Sequence, residues 1–420
     1  MVRQAHHERL KSLLLAQASA LRYHRSAHMS YEPAPTSDFP STTENEALRD
    51  IIRERIAEAG AITFREFMDL ALYHPRHGYY CSPREKMGRQ GDYLTSPEVH
   101  PIFGWLAGKQ LGQMWEVIGR PEPFTVVEMG AGSGALARDI LDWARRHAPE
   151  FFAALEYRLV EVSEELAARQ RRAVQEVDER LEKAAWLPAL AAIPEGSVVG
   201  CLLSNELADA FPVHRVTVRA GRLQEVYVDW RHGRFEERLG PPSTPALEDY
   251  FRRLGLLPGE DCQAEVNLDA LAWMKALARA LGRGFLMTFD YGYPAEQLYA
   301  PWRRQGTFLC FYRHNPSADP YARVGRQDMT SSVDFTSLTQ AAQEAGLETV
   351  GLAGQAQFLT ALGIDGALAP AARGDLPLEE YYARRRALTE LLDPAGLGRI
   401  RVLIQSKGVK GPRLLGLEAV

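Results

Sequence analysis

Three glycines, at 130, 132 and 134, follow the run Val126-Val127-Glu128-Met129, and a second acid, Glu161, lies further on. Glycines let a chain turn tightly from strand to helix, and they let a ligand approach the main chain with no Cβ in the way. The helix that starts there presents unpaired N–H groups to an anion. Gly130-x-Gly132-x-x-Ala135 also fits the dinucleotide fingerprint, so the turn alone does not choose a ligand. The two acids do. Glu128 stands two residues before Gly130, where a carboxylate would repel a pyrophosphate but suits a ligand carrying an ammonium and a sulfonium. Glu161 falls 31 positions past Gly130, against about 20 in dinucleotide binders, and can take both ribose hydroxyls. The pattern points to S-adenosyl-L-methionine, held by Glu128, Gly130, Gly132, Gly134 and Glu161.

A second polar cluster follows the apolar run Ser197–Leu203: Ser204-Asn205-Glu206-Leu207-Ala208-Asp209-Ala210-Phe211-Pro212. Asn205, Glu206 and Asp209 would lie at the carboxyl end of a strand, where open α/β sheets bind ligands. They would serve a site or cap a helix. Asp290 ends another apolar run and would either cap a helix or face the acceptor.

These positions need a particular scaffold. Residues 46–59 have helical spacing, and Thr63 with Glu66 reads as a capping box before Phe64, Phe67, Met68 and Leu72. An aromatic, glycine-rich loop spans Tyr73 to Tyr93. Ser96 with Pro97 reads as the start of a helix reaching about Ile118. Strands are expected at 124–128, 157–162, weakly at 186–190, and at 197–203 and 284–289, with helices between them. One of these is a charged helix reaching about Lys183. Alternation of this kind implies a mostly parallel sheet with right-handed crossovers. The segments 347–352 and 400–404 would close it, with an antiparallel strand. Residues 213–239 alternate in the β pattern around Ala220-Gly221-Arg222, so a hairpin insertion is expected, extending with helix to about 260. The chain divides into a disordered tail or leader (1–45), a helical and aromatic-loop segment covering the site (46–120), and an α/β core (121–420).

The bulk properties narrow the classes. The 420 residues carry a net charge of −5, so no global basic field exists to hold nucleic acid. Cys81, Cys201, Cys262 and Cys310 form no C-x-x-C pair, which argues against a structural metal or a disulfide framework. No apolar run approaches the roughly 18 residues of a membrane span. Residues 1–30 are basic and nearly free of acids. They read as a disordered tail of a cytoplasmic protein, with an organellar transit peptide to the mitochondrial matrix as the alternative. Residues 31–45 read as linker.

The chain resembles the MidA family, whose mitochondrial members are arginine methyltransferases acting in complex I assembly. The matching segments include Tyr73-His-Pro-x-x-Gly78-Tyr79-Tyr80, Gly91-Asp92-Tyr93-Leu94-Thr95-Ser96-Pro97-Glu98 and the glycine turn. Also matching are Leu159–Ser163, Asn205–Pro212, Asp290-Tyr291-Gly292, Asp328–Phe335 and Gln357-Phe358-Leu359. The resemblance covers about residues 60–415. It implies a class I, Rossmann-like methyltransferase fold, cofactor contacts that include Thr95, Ser96 and Asn205, and a protein substrate, with a homodimer left open. The family usually has two aromatics where Leu207-Ala208 stand. It also has a Tyr-Gly-His and a paired His-His where this chain reads Tyr291-Gly292-Tyr293 and Arg313-His314, which bears on the acceptor. For an arginine acceptor, Glu206 and Asp209 would grip the guanidinium as a fork and His314 would help remove the proton. Tyr79 and Tyr80 would be lid or packing residues. A small-molecule methyltransferase and a non-catalytic assembly protein are the rival readings.

Overall fold

The computed structural model describes residues 45–82, 86, 88, 91–369 and 376–418. Apart from Asn45, the tail and linker expected over residues 1–45 lie outside them.

Two helices, α1 (Glu46–Ala59) and α2 (Phe64–Tyr73), flank the short strand β1 (Ile62–Thr63). The Thr63 hydroxyl accepts from the Glu66 amide at 3.1 Å, while the Glu66 carboxylate pairs with Arg55 rather than closing a capping box. The single helix expected from Ser96 is two, α3 (Ser96–Val99) and α4 (Ile102–Val117). Proline at 101 is the reason: it drives His100 out of the α region, to φ −169° and ψ 148°. Ser96 does not cap its helix either. Its hydroxyl donates to Gln355 in a buried contact of 2.9 Å.

The core alternates as expected: β2 (Phe124–Met129), α5 (Ala135–His147), β3 (Leu155–Val160), α6 (Glu164–Gln175), β4 (Ala184–Leu187) and β5 (Val198–Asn205). Helix α6 stops at Gln175, short of the expected Lys183, and β3 stops at Val160, which leaves Glu161 just past the strand tip. The hairpin expected near 213–239 is part of a second sheet. Strands β6 (His214–Arg219), β7 (Arg222–Arg231) and β8 (Arg234–Gly240) form a meander, α7 (Ala246–Leu254) follows, and β9 (Gln263–Val266) pairs back onto β6. Ile62 and Thr63 of β1 also pair with β7, so the N-terminal segment and the insertion share one sheet.

Helix α8 (Leu268–Ala280) leads into β10 (Leu281–Asp290). A three-stranded sheet, β11 (Leu309–Tyr312), β12 (Asn315–Ser317) and β13 (Asp328–Thr330), precedes α9 (Phe335–Glu344), β14 (Glu348–Gly354), α10 (Leu378–Leu392) and β15 (Arg401–Lys407). The main sheet runs β14-β15-β10-β5-β2-β3-β4. All neighbours are parallel except β15, which is antiparallel to both β10 and β14. Apolar side chains cover both faces. Phe124 and Val126 pack with α4 and α5 on one face, while Val127, Leu202 and Leu286 pack with α8 and α9 on the other. The strand order reverses between β2 and β5, so a crevice opens there at the strands' carboxyl ends. Among the described residues no helix is long and apolar enough to cross a membrane.

Candidate active site

The glycine turn has the backbone its sequence demands. Gly130, Gly132 and Gly134 have φ of 70°, 53° and 85°, in the left-handed region. A Cβ on Gly130 would come within 2.7 Å of Leu207, and one on Gly134 within 2.9 Å of the Gln170 backbone. The turn is therefore pressed between the β5 loop and α6. Gln170 fixes it from below: its amide nitrogen donates to the Gly132 carbonyl at 3.1 Å and to Glu161 Oε2 at 2.9 Å. Glu161 Oε1 accepts from the Ser163 amide at 2.8 Å. Its neighbour Val162 is 83% exposed, a bare apolar surface at the strand tip that the face of a purine would cover.

Glu128 does not stand open to a ligand as the sequence suggested. Only 2% of it is exposed, and Oε2 accepts from the Tyr157 hydroxyl at 2.6 Å. Burial pushes its pKa up to about 7, against that hydrogen bond. It lies at the end of β2 as a support for the turn. Ser96 is likewise fully buried, and its amide donates to Glu206 Oε1 at 3.0 Å. Thr95 precedes it in extended conformation, its hydroxyl making no capping bond. Asn205 Nδ2 donates to the same Glu206 oxygen at 3.0 Å, whereas Asn205 Oδ1 is buried with no hydrogen-bond partner among the described residues. A buried acceptor left unpaired is costly, and an ammonium group would satisfy it. The glycine turn, the held Glu161 carboxylate, the bare Val162 and the orphan Asn205 oxygen together fit S-adenosylmethionine.

Beside this crevice is a cleft of about 310 Å³ whose walls include Glu206, Asp209 and Asp328, the rings of Tyr80, Tyr93 and Tyr291, and His314. All three residues expected to act on the acceptor, Glu206, Asp209 and His314, meet here. Glu206 sits at φ +50° and its amide donates to the Phe289 carbonyl, so the β5 exit is held bent towards the cleft. Burial pushes its pKa up to about 8, with Asp290 adding repulsion against the two donors on Oε1. Burial and the charges of Asp290, Glu206 and Asp328 hold Asp209 well above the usual carboxylate range. Asp290 is the cap of the two roles offered. Its Oδ2 accepts from the amides of Leu207, Ala208 and Asp209, and its Oδ1 from that of Tyr291.

Asp328 was not marked as a site residue from sequence. It arrives on β13, accepts from the Tyr80 hydroxyl at 2.7 Å and from the Met329 amide at 2.9 Å, and burial pushes its pKa up to about 6. Tyr93 and Tyr291 were missed as cleft walls as well. Of the two loop tyrosines, Tyr80 lines the cleft, while Tyr79 is packed inside with its hydroxyl on Asp92 at 2.9 Å. Asp92 also accepts from the amides of Arg313 and His314, pinning the histidine's loop at the cleft edge.

A reversed strand in an otherwise parallel seven-stranded sheet, with an acid-lined crevice at its switch point, defines a class I methyltransferase using S-adenosyl-L-methionine. Known proteins agree. Residues 106–353 match the family described as S-adenosyl-L-methionine-dependent methyltransferases. The mitochondrial protein arginine methyltransferase NDUFAF7 homolog of Drosophila melanogaster is 30% identical over 408 residues, covering 90% of this chain and 89% of its own. The human mitochondrial protein arginine methyltransferase NDUFAF7 is 29% identical over 334 residues, covering 74% and 72%. A crystal structure of a Burkholderia thailandensis protein bound to S-adenosyl-homocysteine superposes with a TM-score of 0.80 at 31% identity, covering 88% of this chain and 94% of that one. The chain belongs to this methyltransferase family.

Proposed function

We propose that the enzyme methylates an arginine side chain of a partner protein. The observation that carries this reading is the acidic cleft beside the cofactor crevice: four carboxylate residues, Asp92, Glu206, Asp209 and Asp328, and three tyrosine rings in one small volume. Carboxylates with raised pKa values have a low affinity for their own charge, and a guanidinium is the ligand that would restore it. Its planar fork takes paired carboxylate oxygens, and its faces stack on aromatic rings. A guanidinium is a poor nucleophile because its pKa lies at about 12.5–13.8 and its lone pair is delocalised. Glu206 and Asp209, ionised by its arrival, would draw positive charge to the nitrogens they hold and leave the remaining nitrogen free to attack.

When bound, S-adenosylmethionine would supply an electrophilic methyl group. Asn205, the glycine turn and Glu161 would fix the donor, and the cleft would fix the acceptor, so the chain contributes mainly alignment. The proton released on transfer passes to a base on the cleft wall. His314, at the exposed edge, would hand it to water. The relatives' names support a protein acceptor, and a subunit of respiratory complex I is the first to test, on the family resemblance. Cytoplasm and mitochondrial matrix are the two compartments for the reaction, and the relatives' names, which read mitochondrial, favour the mitochondrion.

The test is transfer of labelled methyl from S-adenosylmethionine into protein from cells lacking the gene, followed by acid hydrolysis. Label recovered as methylarginine supports the reading. Label confined to small molecules, or to another amino acid, overturns it.

A further inference from the structure

The acidic cleft continues past Tyr291 into a second cleft of about 180 Å³ that has the opposite charge. The two share Tyr291, Ser332 and Arg399, and the second adds Tyr293 and Arg401. Arg399 lies 5.2 Å over the Tyr291 ring. Among the described residues neither Arg399 nor Arg401 has a carboxylate partner. Elsewhere in the fold, by contrast, Arg253 is paired with Glu344 and Arg215 with Glu237. A guanidinium stacked on a ring keeps its in-plane N–H donors free, and those donors match a carboxylate edge.

Resting on the arginine-acceptor reading, we infer that the second cleft binds an acidic side chain next to the acceptor arginine, so the substrate class is an arginine flanked by aspartate or glutamate. An extended peptide advances about 3.3–3.6 Å per residue, and the clefts share a wall. Neighbouring residues of one peptide can therefore occupy both. The four carboxylate residues of the first cleft would repel an acidic neighbour if no cation intervened, and Arg399 stands at the boundary. The second cleft has room for one carboxylate side chain, bounded by Gly354 and Gly398. The same arrangement disfavours a lysine or arginine beside the acceptor, because it would meet Arg399 and Arg401 head on.

The experiment uses the full chain with S-adenosylmethionine and four sets of arginine peptides. They carry glutamate, glutamine, glycine or lysine at each of the two positions before and after the arginine. Expected is a kcat/KM for the best glutamate peptide about 3- to 10-fold above its glutamine counterpart, with lysine lowest, an advantage that shrinks at high salt. In Arg401→Glu the ranking of glutamate over lysine inverts, a ratio that does not depend on how much of the variant is folded. Equal rates across the four sets in the wild type overturn the inference and leave the arginine reading standing. An inversion that fails to appear in Arg401→Glu overturns it too. Methylation of none of the peptides, nor of any arginine in whole protein, removes the arginine reading and this inference with it.

Discussion

The Ser96 amide donates to Glu206 Oε1 at 3.0 Å, joining residues 110 positions apart in the chain. With Asn205 Nδ2 on the same oxygen, both donors fall on Oε1, and no bond falls on Oε2 among the described residues. Glu206 is thus aimed, with one oxygen committed to the protein and the other left towards the cleft. Glu206→Gln keeps the shape and loses the charge. Turnover should fall by about 100-fold or more, in the range seen when a group that stabilises developing charge is removed. Binding of S-adenosylhomocysteine should stay within about threefold. Single-turnover rates and calorimetry measure the two, and a variant that turns over normally takes Glu206 out of the reaction.

The raised pKa of Glu206 also makes a statement about stability. Its folded value of about 8 stands above the unfolded value of about 4.3. The neutral form is the one the fold prefers. The stabilisation is fully present below about pH 4 and is lost as pH rises through 8. Asp209 and Asp290, also raised, act in the same direction. The melting temperature of the ligand-free enzyme should fall between pH 5 and pH 8.5, and it should fall less steeply in Glu206→Gln. Parallel curves for the two proteins would show that Glu206 is already ionised at neutral pH.

How much of this was legible depended on distance along the chain. The strand, glycine turn and helix at 124–147 are one local pattern, and so are the strand-end residues Asn205 to Asp209. The acidic cleft is not local. Asp328 sits in Asp328-Met-Thr-Ser-Ser, which has neither helical nor strand periodicity, and only pairing of β13 with β11 carries it to Glu206. Tyr93 and Tyr291 look like ordinary loop aromatics until the fold sets them on facing walls. The second sheet escaped for a similar reason, since β1 contributes two residues and β9 four. The break in the helix after Ser96 was missed although its signal is local: Pro101 disfavours the helical conformation at His100, which the apolar spacing on either side concealed.

Glu161 and Glu128 should separate on mutation, although both are acids at strand ends. Glu161 is partly exposed and oriented by Ser163 and Gln170. A hydrogen bond from a ligand hydroxyl to a charged group contributes about 1.5–3 kcal/mol, so Glu161→Gln should raise the Kd of S-adenosylhomocysteine by about tenfold or more. Glu128 is sealed under the turn, and its pKa near 7 makes the charge expendable. In Glu128→Gln the amide oxygen can still accept from Tyr157, and the Kd should change by less than about threefold. The reverse order would mean that Glu128, not Asn205, holds the methionyl ammonium.

Gln170 should act on the cofactor without touching it. It is fully buried, and its side chain makes three bonds: to the Gly132 carbonyl, to Glu161 Oε2, and from Trp186 Nε1 at 3.0 Å. Gln170→Leu fits the same volume and removes all three. Leaving buried partners unsatisfied costs about 1–3 kcal/mol each, though Glu161 can turn to water, so a net loss of about 2 kcal/mol is expected. The informative readout is the split between steps. Glu161 released from Gln170 samples other rotamers, and the Gly132 carbonyl loses its tie to α6. The KM for S-adenosylmethionine should therefore rise by about tenfold. The acceptor cleft does not contact Gln170, so kcat at saturating cofactor should stay within about twofold. Measured well below the melting temperature, a variant that is less stable but keeps the wild-type KM would show Gln170 to be packing alone. A fall in kcat with unchanged KM would break the separation drawn between the two clefts.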